Sequence, residues 1–263
     1  MYLCPLFSGS SGNSTLVEIG GARILVDAGK TCRSLEDSLR NASIPPDTIT
    51  ALLITHEHID HIRGAGVFSR RYNIPIYANS GTWEGMAPVI GEVAPANVRV
   101  FATDHGFFLK DAAVLPIKTP HDARESVGYR FQCGGHSMVV MTDIGYADPI
   151  LLDQAAGSDI VLIEANHDPD LVRSCRYSYP TKLRILSDHG HLSNENAGRA
   201  LARLYTTGVK RAILGHLSKD NNFAQLALST VREQLRLADI PDEAFDLAVA
   251  LRDEVTGMFL VSE

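Results

Sequence analysis

The sequence has only four cysteines, which lie far apart: Cys4, Cys32, Cys133 and Cys175. With no C-x-x-C pair and with scattered positions, the cysteines indicate neither a thiolate zinc site nor a disulfide framework. The N-terminus also lacks a basic segment followed by an apolar segment and a cleavage site, so no export signal is predicted. We therefore expect the protein to be cytoplasmic.

Long apolar runs and an excess of positive charge are missing as well. The longest apolar runs, such as residues 160–163, have the length of a strand, whereas a membrane-spanning helix needs about 20 apolar residues. We therefore expect a soluble chain with no membrane partner. The sequence contains 24 Lys and Arg against 31 Asp and Glu, so its net charge of −7 provides no global attraction to nucleic acid.

Short apolar runs alternate with helical patterns along the whole chain, and no linker separates two parts. Strands are predicted at 24–27, 51–55, 74–78, 127–132, 137–142, 160–164, 212–215, 247–252 and 258–261. Helices are predicted at 35–41, 62–72, 148–155, 194–205 and 221–237. This interleaving predicts a single α/β domain over residues 1–263. Because several strands are apolar on both faces, helices should cover at least one side of the sheet.

Ligand-type side chains cluster directly after the second predicted strand, where residues 55–61 read T-H-E-H-I-D-H. His56 and His58 are two residues apart and can face the same way, while Asp60 and His61 lie beyond the bend. Imidazole nitrogen and carboxylate oxygen are ligands of Zn²⁺, and Mn²⁺ or Fe²⁺ accept the same mixture. Four ligands within six residues exceed what one tetrahedral ion can use, so two divalent ions are predicted. The alternative, an exposed polar loop, fits an isolated histidine better than this cluster.

The segment 55–61 resembles the H-x-H-x-D-H motif of the metallo-β-lactamase superfamily, whose fold is an αβ/βα sandwich. Three further motifs follow in the order of that family, at His121, Asp143 and His216. By this resemblance the first ion would be held by His56, His58, His121 and Asp143, and the second by Asp60, His61, His216 and Asp143. The antibiotic-destroying members generally have cysteine at the position of Asp143, so β-lactam hydrolysis is disfavoured. Asp27 resembles an aspartate that braces the metal loop, although a turn before Gly29 explains it equally well.

Several motifs taken together are similar to the YycJ (WalJ) branch of the superfamily, which is associated with 5′-to-3′ DNA exonuclease activity. They are S-G-S-S-G-N-S at 8–14, D-A-G at 27–29, H-D-A at 121–123 and T-D-I-G at 142–145, together with the metal loop. Segments 163–168 and 179–194 match the branch as well, whereas residues 124–126 depart from it in lacking a proline. The resemblance implies a dinuclear phosphodiester hydrolase whose partner is DNA.

Catalytic roles follow from the same resemblance. The two ions would lower the pKa of a bridging water and neutralise charge in the transition state. Asp60 is expected to orient the nucleophile in addition to binding metal. His191 is expected to donate a proton to the leaving oxygen, although a polar residue before a helix is the alternative explanation.

Candidate substrate contacts lie in three loops. The serine- and glycine-rich loop could approach an anionic group through Ser10 and Asn13, although a plain tight turn is the alternative. Asn166, Ser193 and Asn194 are further candidates. Ser193 also fits the N-cap of the following helix, and that explanation is the stronger one for its side chain.

A basic and aromatic segment, 173–184, completes the set of candidate substrate contacts. Its cations are Arg173, Arg176, Lys182 and Arg184, and two tyrosines are interleaved with no acidic residue inside the segment. Basic and aromatic side chains together suit a nucleic-acid backbone and unstacked bases, so we expect Arg173, Arg176 and Lys182 to bind DNA. The alternative is a solvated face.

Two other functions remain open from the residues alone. The first is another metal hydrolase acting on a small phosphodiester, a lactone or a thioester, because fold and metals do not choose the substrate. The second is a redox or binding protein that holds iron with the same ligands. The sequence also leaves open the identity of the metal and whether the chain forms a homo-oligomer.

Overall fold

The computed structural model describes residues 1–261, in which strands and helices alternate along the chain, as predicted for an α/β protein. The fourteen strands in these residues are β1 Tyr2–Phe7, β2 Ser14–Ile19, β3 Ala22–Val26, β4 Ala51–Leu53, β5 Ile76–Asn79, β6 Val98–Phe101, β7 Phe107–Leu109, β8 Ala112–Lys118, β9 Val127–Cys133, β10 His136–Met141, β11 Ile160–Glu164, β12 Arg211–Gly215, β13 Asp246–Val249 and β14 Phe259–Leu260. Their nine helices are α1 Cys32–Asn41, α2 Ile59–Ile62, α3 Ala65–Tyr72, α4 Ser80–Ile90, α5 Pro149–Ala155, α6 Pro169–Ser174, α7 Tyr179–Ile185, α8 Asn194–Tyr205 and α9 Ala224–Leu237.

The chain divides into two compact units. Unit 1 consists of Met1–Lys118, Ala123–Gly135 and the residues from Leu251 onward, and unit 2 consists of Thr119–Asp122 and His136–Ala250. The single domain expected over the whole chain stays a prediction. The two units are therefore described in turn.

Unit 1 is built on a seven-stranded sheet in the order β14-β1-β2-β3-β4-β5-β6. The strands from β14 to β3 pair antiparallel, and those from β3 to β6 pair parallel. One face carries a buried apolar core that includes Leu16, Leu25 and Leu52 and receives α1, α3 and α4 through side chains such as Leu35 and Phe68. The expectation that helices cover at least one side of the sheet is thus confirmed in this unit. Strands β7, β8 and β9 are not part of this sheet and pair antiparallel in that order.

Unit 2 contains four parallel strands in the order β10, β11, β12, β13. Parallel neighbours require crossover connections, which here contain α5, then α6 to α8, then α9. Because all four strands run the same way, their carboxyl ends meet at one edge, which is where ligands bind in open α/β sheets. Asp143, Glu164 and His216 lie at or just after these strand ends.

Two of the differences between the predicted and the observed helix boundaries have identifiable physical reasons. The helix predicted at 62–72 is interrupted at Gly64, where a side-chain Cβ would lie 2.4 Å from the carbonyl oxygen of Lys30. The helix predicted from Asn221 begins only at Ala224, and the earlier start was wrong. The reason is that the Asn222 side chain bonds the carbonyl oxygen of Ala165 at 2.9 Å, which ties these residues to a neighbouring loop.

The helices are short throughout the described part of the chain. The longest, α9, has 14 residues and therefore extends about 21 Å. Among residues 1–261, no helix has the length and apolar character needed to cross a bilayer.

Candidate metal centre and catalytic residues

The metal loop of unit 1 brings the four predicted ligands of residues 56–61 together. It follows β4 and runs into the single turn of α2. The Nε2 atom of His56 lies 3.0 Å from Nδ1 of His58. The Nε2 atom of His61 lies 3.7 Å from a carboxylate oxygen of Asp60. Two imidazoles and an imidazole–carboxylate pair at these distances form a donor set that fits a divalent cation.

Asp27 braces this loop from the end of β3. Its carboxylate accepts hydrogen bonds from the backbone N–H of Thr55 at 2.8 Å and from the Thr55 hydroxyl at 2.9 Å. It also lies 2.8 Å from Nδ1 of His61, and because a carboxylate only accepts, that nitrogen carries the proton. The Nε2 atom of His61 is therefore the unprotonated nitrogen, which can accept a hydrogen bond or bind a metal ion. Asp27 adopts this position with φ of 64°, in the left-handed region.

Asn13, an expected substrate contact, is buried against the metal loop. Its Oδ1 accepts the N–H of Gly9 at 2.8 Å, which fixes the orientation of the amide. Its Nδ2 then faces the carbonyl oxygen of Asp60 at 3.4 Å and Nε2 of His61 at 3.1 Å. The close packing requires glycine at position 29, where a Cβ would lie 1.7 Å from the Asp60 carbonyl oxygen. The role of Asn13 in substrate binding stays a prediction.

Unit 2 contributes its ligand-type side chains from strand ends. Asp143 follows β10 and His216 follows β12, and both adopt left-handed backbone conformations, with φ of 56° and 55°. The Oδ1 atom of Asp143 lies 3.5 Å from Nε2 of His216 and 3.7 Å from Nε2 of His121. His121 is held by a hydrogen bond between its Nδ1 and the carbonyl oxygen of Gly190 at 3.0 Å. Burial lowers the pKa of His121, which favours the neutral form that binds metals.

Glu164, at the end of β11, is the functional candidate that the sequence did not reveal. One of its oxygens, Oε1, lies 2.8 Å from Nδ1 of His191 and 2.9 Å from Nδ1 of His216. The other oxygen accepts two backbone N–H groups, from Ile144 at 2.8 Å and Leu192 at 3.2 Å. Burial raises the pKa of Glu164, but the His191 charge and the hydrogen bonds from both histidines outweigh it and bring the pKa to about 2.

An ionised Glu164 determines the tautomers of both histidines. Because it can only accept, Nδ1 of His191 and Nδ1 of His216 both carry protons, and the two Nε2 atoms remain for chemistry. The ligand-type atoms of Asp143, Glu164, His191 and His216 all lie within 4.8 Å of one another. This donor set of nitrogen and oxygen atoms also fits a divalent metal ion.

The other expected substrate contacts on these loops are mostly engaged within the protein. Asn166 donates to the carbonyl oxygen of His216 at 2.8 Å, and the Asn194 amide pairs with that of Asn222. Ser193 is the N-cap of α8 and accepts the N–H of Asn196 at 3.2 Å. Ser10, by contrast, is exposed. Their contacts to substrate stay predictions.

The basic and aromatic segment folds into α6, the connecting loop and α7, whose helices the sequence analysis did not predict. Arg173 pairs with Asp170 at 2.6 Å, and Lys182 donates to the carbonyl oxygen of Arg173 at 2.7 Å. Arg184 forms two bonds with Asp122, which lies outside the segment. Within residues 1–261, Arg176 is exposed and has no hydrogen bond or ion pair. The cations predicted to meet DNA are therefore not equivalent.

Comparison with known proteins places this geometry in context. A sequence model described as the β-lactamase superfamily domain matches residues 22–217. The chain is 40% identical over 237 residues to exodeoxyribonuclease WalJ of Streptococcus pneumoniae serotype 2, covering 89% of this chain and 88% of that protein. It is 35% identical over 235 residues to exodeoxyribonuclease YycJ of Bacillus anthracis, covering 89% of each.

Solved structures agree in fold. The metallo-β-lactamase fold protein YhfI from Bacillus subtilis superposes with a TM-score of 0.72 at 17% identity, covering 97% of this chain and 98% of that one. Zn²⁺-bound PqqB from Methylobacterium extorquens gives a TM-score of 0.73 at 17% identity, with coverage of 96% and 98%. The predicted αβ/βα sandwich fold class is therefore confirmed.

Proposed function

Because the chain belongs to the β-lactamase superfamily, within the branch of the WalJ and YycJ exodeoxyribonucleases, we propose that it is a metal-dependent 5′-to-3′ DNA exonuclease. The structural observation that best supports a metal-dependent hydrolase is the position of Glu164. A single buried carboxylate oxygen orients His216, an expected metal ligand, and His191, an expected proton donor. Metal binding and leaving-group protonation would thus be coupled through one side chain.

The proposed cofactor is a pair of divalent ions, Zn²⁺, Mn²⁺ or Fe²⁺. The ligand set is the one that the sequence motifs imply: His56, His58, Asp60, His61, His121, Asp143 and His216. When bound, such ions would lower the pKa of a water molecule toward neutrality and offset charge on the phosphorane-like transition state. A cytoplasmic location would suit the chain, since all four cysteines are free.

The protein side chains would supply orientation and protons. Asp60 would orient the attacking oxygen as well as bind metal. His191 would protonate the leaving oxygen from Nε2, because its Nδ1 is committed to Glu164. His191 suits this role because it is partly exposed, whereas the carboxylate behind it is fully buried.

The proposal is tested by giving the metal-reconstituted protein end-labelled single-stranded DNA, duplex DNA, RNA and bis(p-nitrophenyl) phosphate. We expect DNA to be degraded from its 5′ end, with the 3′ label retained in shortening products. Faster cleavage of RNA, or degradation from the 3′ end, would contradict the substrate or the polarity. Hydrolysis of the small phosphodiester alone would favour the alternative of a small-molecule hydrolase.

A cationic interaction with DNA is proposed for Arg173, Arg176 and Lys182. Replacing all three with alanine should weaken DNA binding and make its salt dependence shallower, by about 0.7 in the log–log slope for each single-strand phosphate that is no longer neutralised. Cleavage of bis(p-nitrophenyl) phosphate should be nearly unchanged. Binding is measured by fluorescence anisotropy between low and moderate salt.

A matched control for the triple variant is Lys210→Ala, an exposed cation just before β12, at the opposite end of that strand from His216. It should leave both affinity and slope unchanged. If the triple variant loses activity equally on DNA and the small substrate, the segment supports the fold. Unchanged DNA affinity would place the nucleic-acid path elsewhere.

A further inference from the structure

Helix α7 presents an apolar stripe to solvent. Tyr179 and Leu183 of α7 and its C-cap residue Leu186 occupy positions i, i+4 and i+7, which lie on one side of a helix, and these residues are 73%, 51% and 37% exposed. A surface helix normally turns such a stripe toward the core. On α7 only Ile185 is buried. The outward stripe therefore has no structural function that the described residues reveal.

Cationic side chains flank the stripe, and most of them are already engaged within the protein. Residues 169–187 contain four cationic residues and one acidic residue, and Asp168 and Asp188 lie directly outside this range. Two acids from elsewhere, Asp122 and Asp220, contact Arg184 and Tyr177. Arg176 remains exposed and unpaired among the described residues. An apolar stripe beside cations suits a ligand that combines apolar faces with negative charge.

The stripe is attached directly to the loop that carries His191. The backbone N–H of His191 donates to the carbonyl oxygen of Ile185, the last residue of α7, at 3.1 Å. Gly190 packs so closely on this turn that a Cβ would lie 2.0 Å from the Arg184 carbonyl oxygen. At a rise of 1.5 Å per residue, Tyr179 lies about 9 Å along the helix from Ile185. A ligand bound along the stripe would therefore lie close to the loop that carries His191.

We propose that the stripe of Tyr179, Leu183 and Leu186 is a stacking platform for the bases of unpaired DNA, with Arg176 contacting a phosphate. This inference rests on the proposed DNA exonuclease function and adds a preference for single-stranded substrate. A base in a duplex has both faces covered by its neighbours, whereas an unpaired base can stack on an exposed tyrosine ring.

A second copy of the chain fits the stripe less well. In a two-fold symmetric dimer the same surface meets itself, so the unpaired Arg176 would face a copy whose nearby acids, Asp170, Asp122 and Asp220, already have partners. The stripe also consists of only three side chains, which is small for a stable interface. The unpaired Arg176 thus favours a phosphate-bearing polyanion over a second copy.

The test uses single-stranded oligonucleotides containing 2-aminopurine, whose fluorescence falls on stacking, with the full-length protein. Tyr179→Ala should weaken binding by about 5- to 100-fold and remove the quenching, while the salt slope of the affinity stays unchanged. Arg176→Ala should instead make the slope shallower by about 0.7. Tyr179→Phe retains the ring and should bind as the wild type does. Lys210→Ala, the exposed control cation, should leave binding, quenching and cleavage of bis(p-nitrophenyl) phosphate unchanged.

Distinct results would overturn the inference. If the wild type degrades DNA but Tyr179→Ala binds and cleaves single strands normally, the platform is excluded while the proposed function survives. If the wild type cleaves no DNA, the proposed function itself fails. A change from dimer to monomer in Tyr179→Ala, seen by analytical ultracentrifugation, would make the stripe an interface between copies and overturn the DNA assignment.

Discussion

Replacing His191 with alanine is expected to reduce DNA turnover by roughly 10²- to 10⁴-fold, the usual contribution of a general acid. Metal content should remain close to that of the wild type, because His191 lies outside the predicted ligand set. The physical basis is the bond between its Nδ1 and Glu164, which orients the ring and leaves Nε2 for the leaving oxygen. Turnover and metal content are measured on the same preparation, by a gel assay and elemental analysis.

Two further variants sharpen this experiment. His189→Ala removes an exposed histidine two residues away and should have little effect on turnover. Glu164→Gln should lower turnover and also weaken metal binding, because its carboxylate contacts both His191 and His216. Should His191→Ala lose metal in proportion to activity, the histidine would be a ligand or a scaffold residue, and the proton-donor role would be wrong.

Replacing Asp143 with alanine is expected to have the largest effect on the metal centre. Elemental analysis of mildly purified protein should give about two ions for the wild type and one or none for the variant, with DNA hydrolysis abolished. The Asp143 carboxylate oxygen lies within 3.7 Å of a nitrogen of His121, His191 and His216, so its removal takes away a negative charge that these side chains share.

The control for Asp143→Ala is Asp153→Ala, which removes an exposed carboxylate on α5 in the same unit. It should retain metal and activity. A wild-type protein that never holds more than one ion would rule out the dinuclear centre. A variant that keeps two ions would remove Asp143 from the ligand set.

The metal loop and the strand-end motifs could be read from the sequence because their signals are local. Three histidines and an aspartate within residues 56–61 need no long-range information, and strand β11 and helix α8 were predicted with correct boundaries. Asp27 was ambiguous, since a turn explains it equally well. Only its bonds to Thr55 and His61, both far along the chain, distinguish the two explanations.

Glu164 could not be assigned a role from sequence because its partners are distant. His191 lies 27 residues away and His216 lies 52 residues away, so no spacing pattern reveals the shared carboxylate oxygen. An acidic residue at the end of the apolar run 160–163 was the available signal. A buried carboxylate there requires partners, and that requirement alone would have directed attention to the loop histidines.

Helices α4, α6 and α7 were missed for a different reason. Helix α4 contains two glycines and Pro88, which hide its pattern, and it is held by the Asn79 N-cap and by burial of Met86. Helices α6 and α7 are too short to show a period, although the N-cap Asp168 directly precedes Pro169 and the N-cap Ser178 lies two residues before Pro180. The acids that pair with Arg184 and Tyr177 come from other parts of the chain, so the sequence analysis overestimated the positive charge of the basic and aromatic segment.

The left-handed backbone at Asp27, Asp143 and His216 limits which amino acids can replace these residues during evolution. Each non-glycine residue held there costs on the order of 1–3 kcal/mol, and glycine or asparagine adopts the conformation with the least penalty. A descendant that gives up hydrolysis is released from the need for carboxylate or imidazole at these positions. In such a descendant, glycine or asparagine at these positions would keep the fold at the lowest conformational cost. The residues at these three positions should therefore separate hydrolytic relatives from those that have kept only the fold.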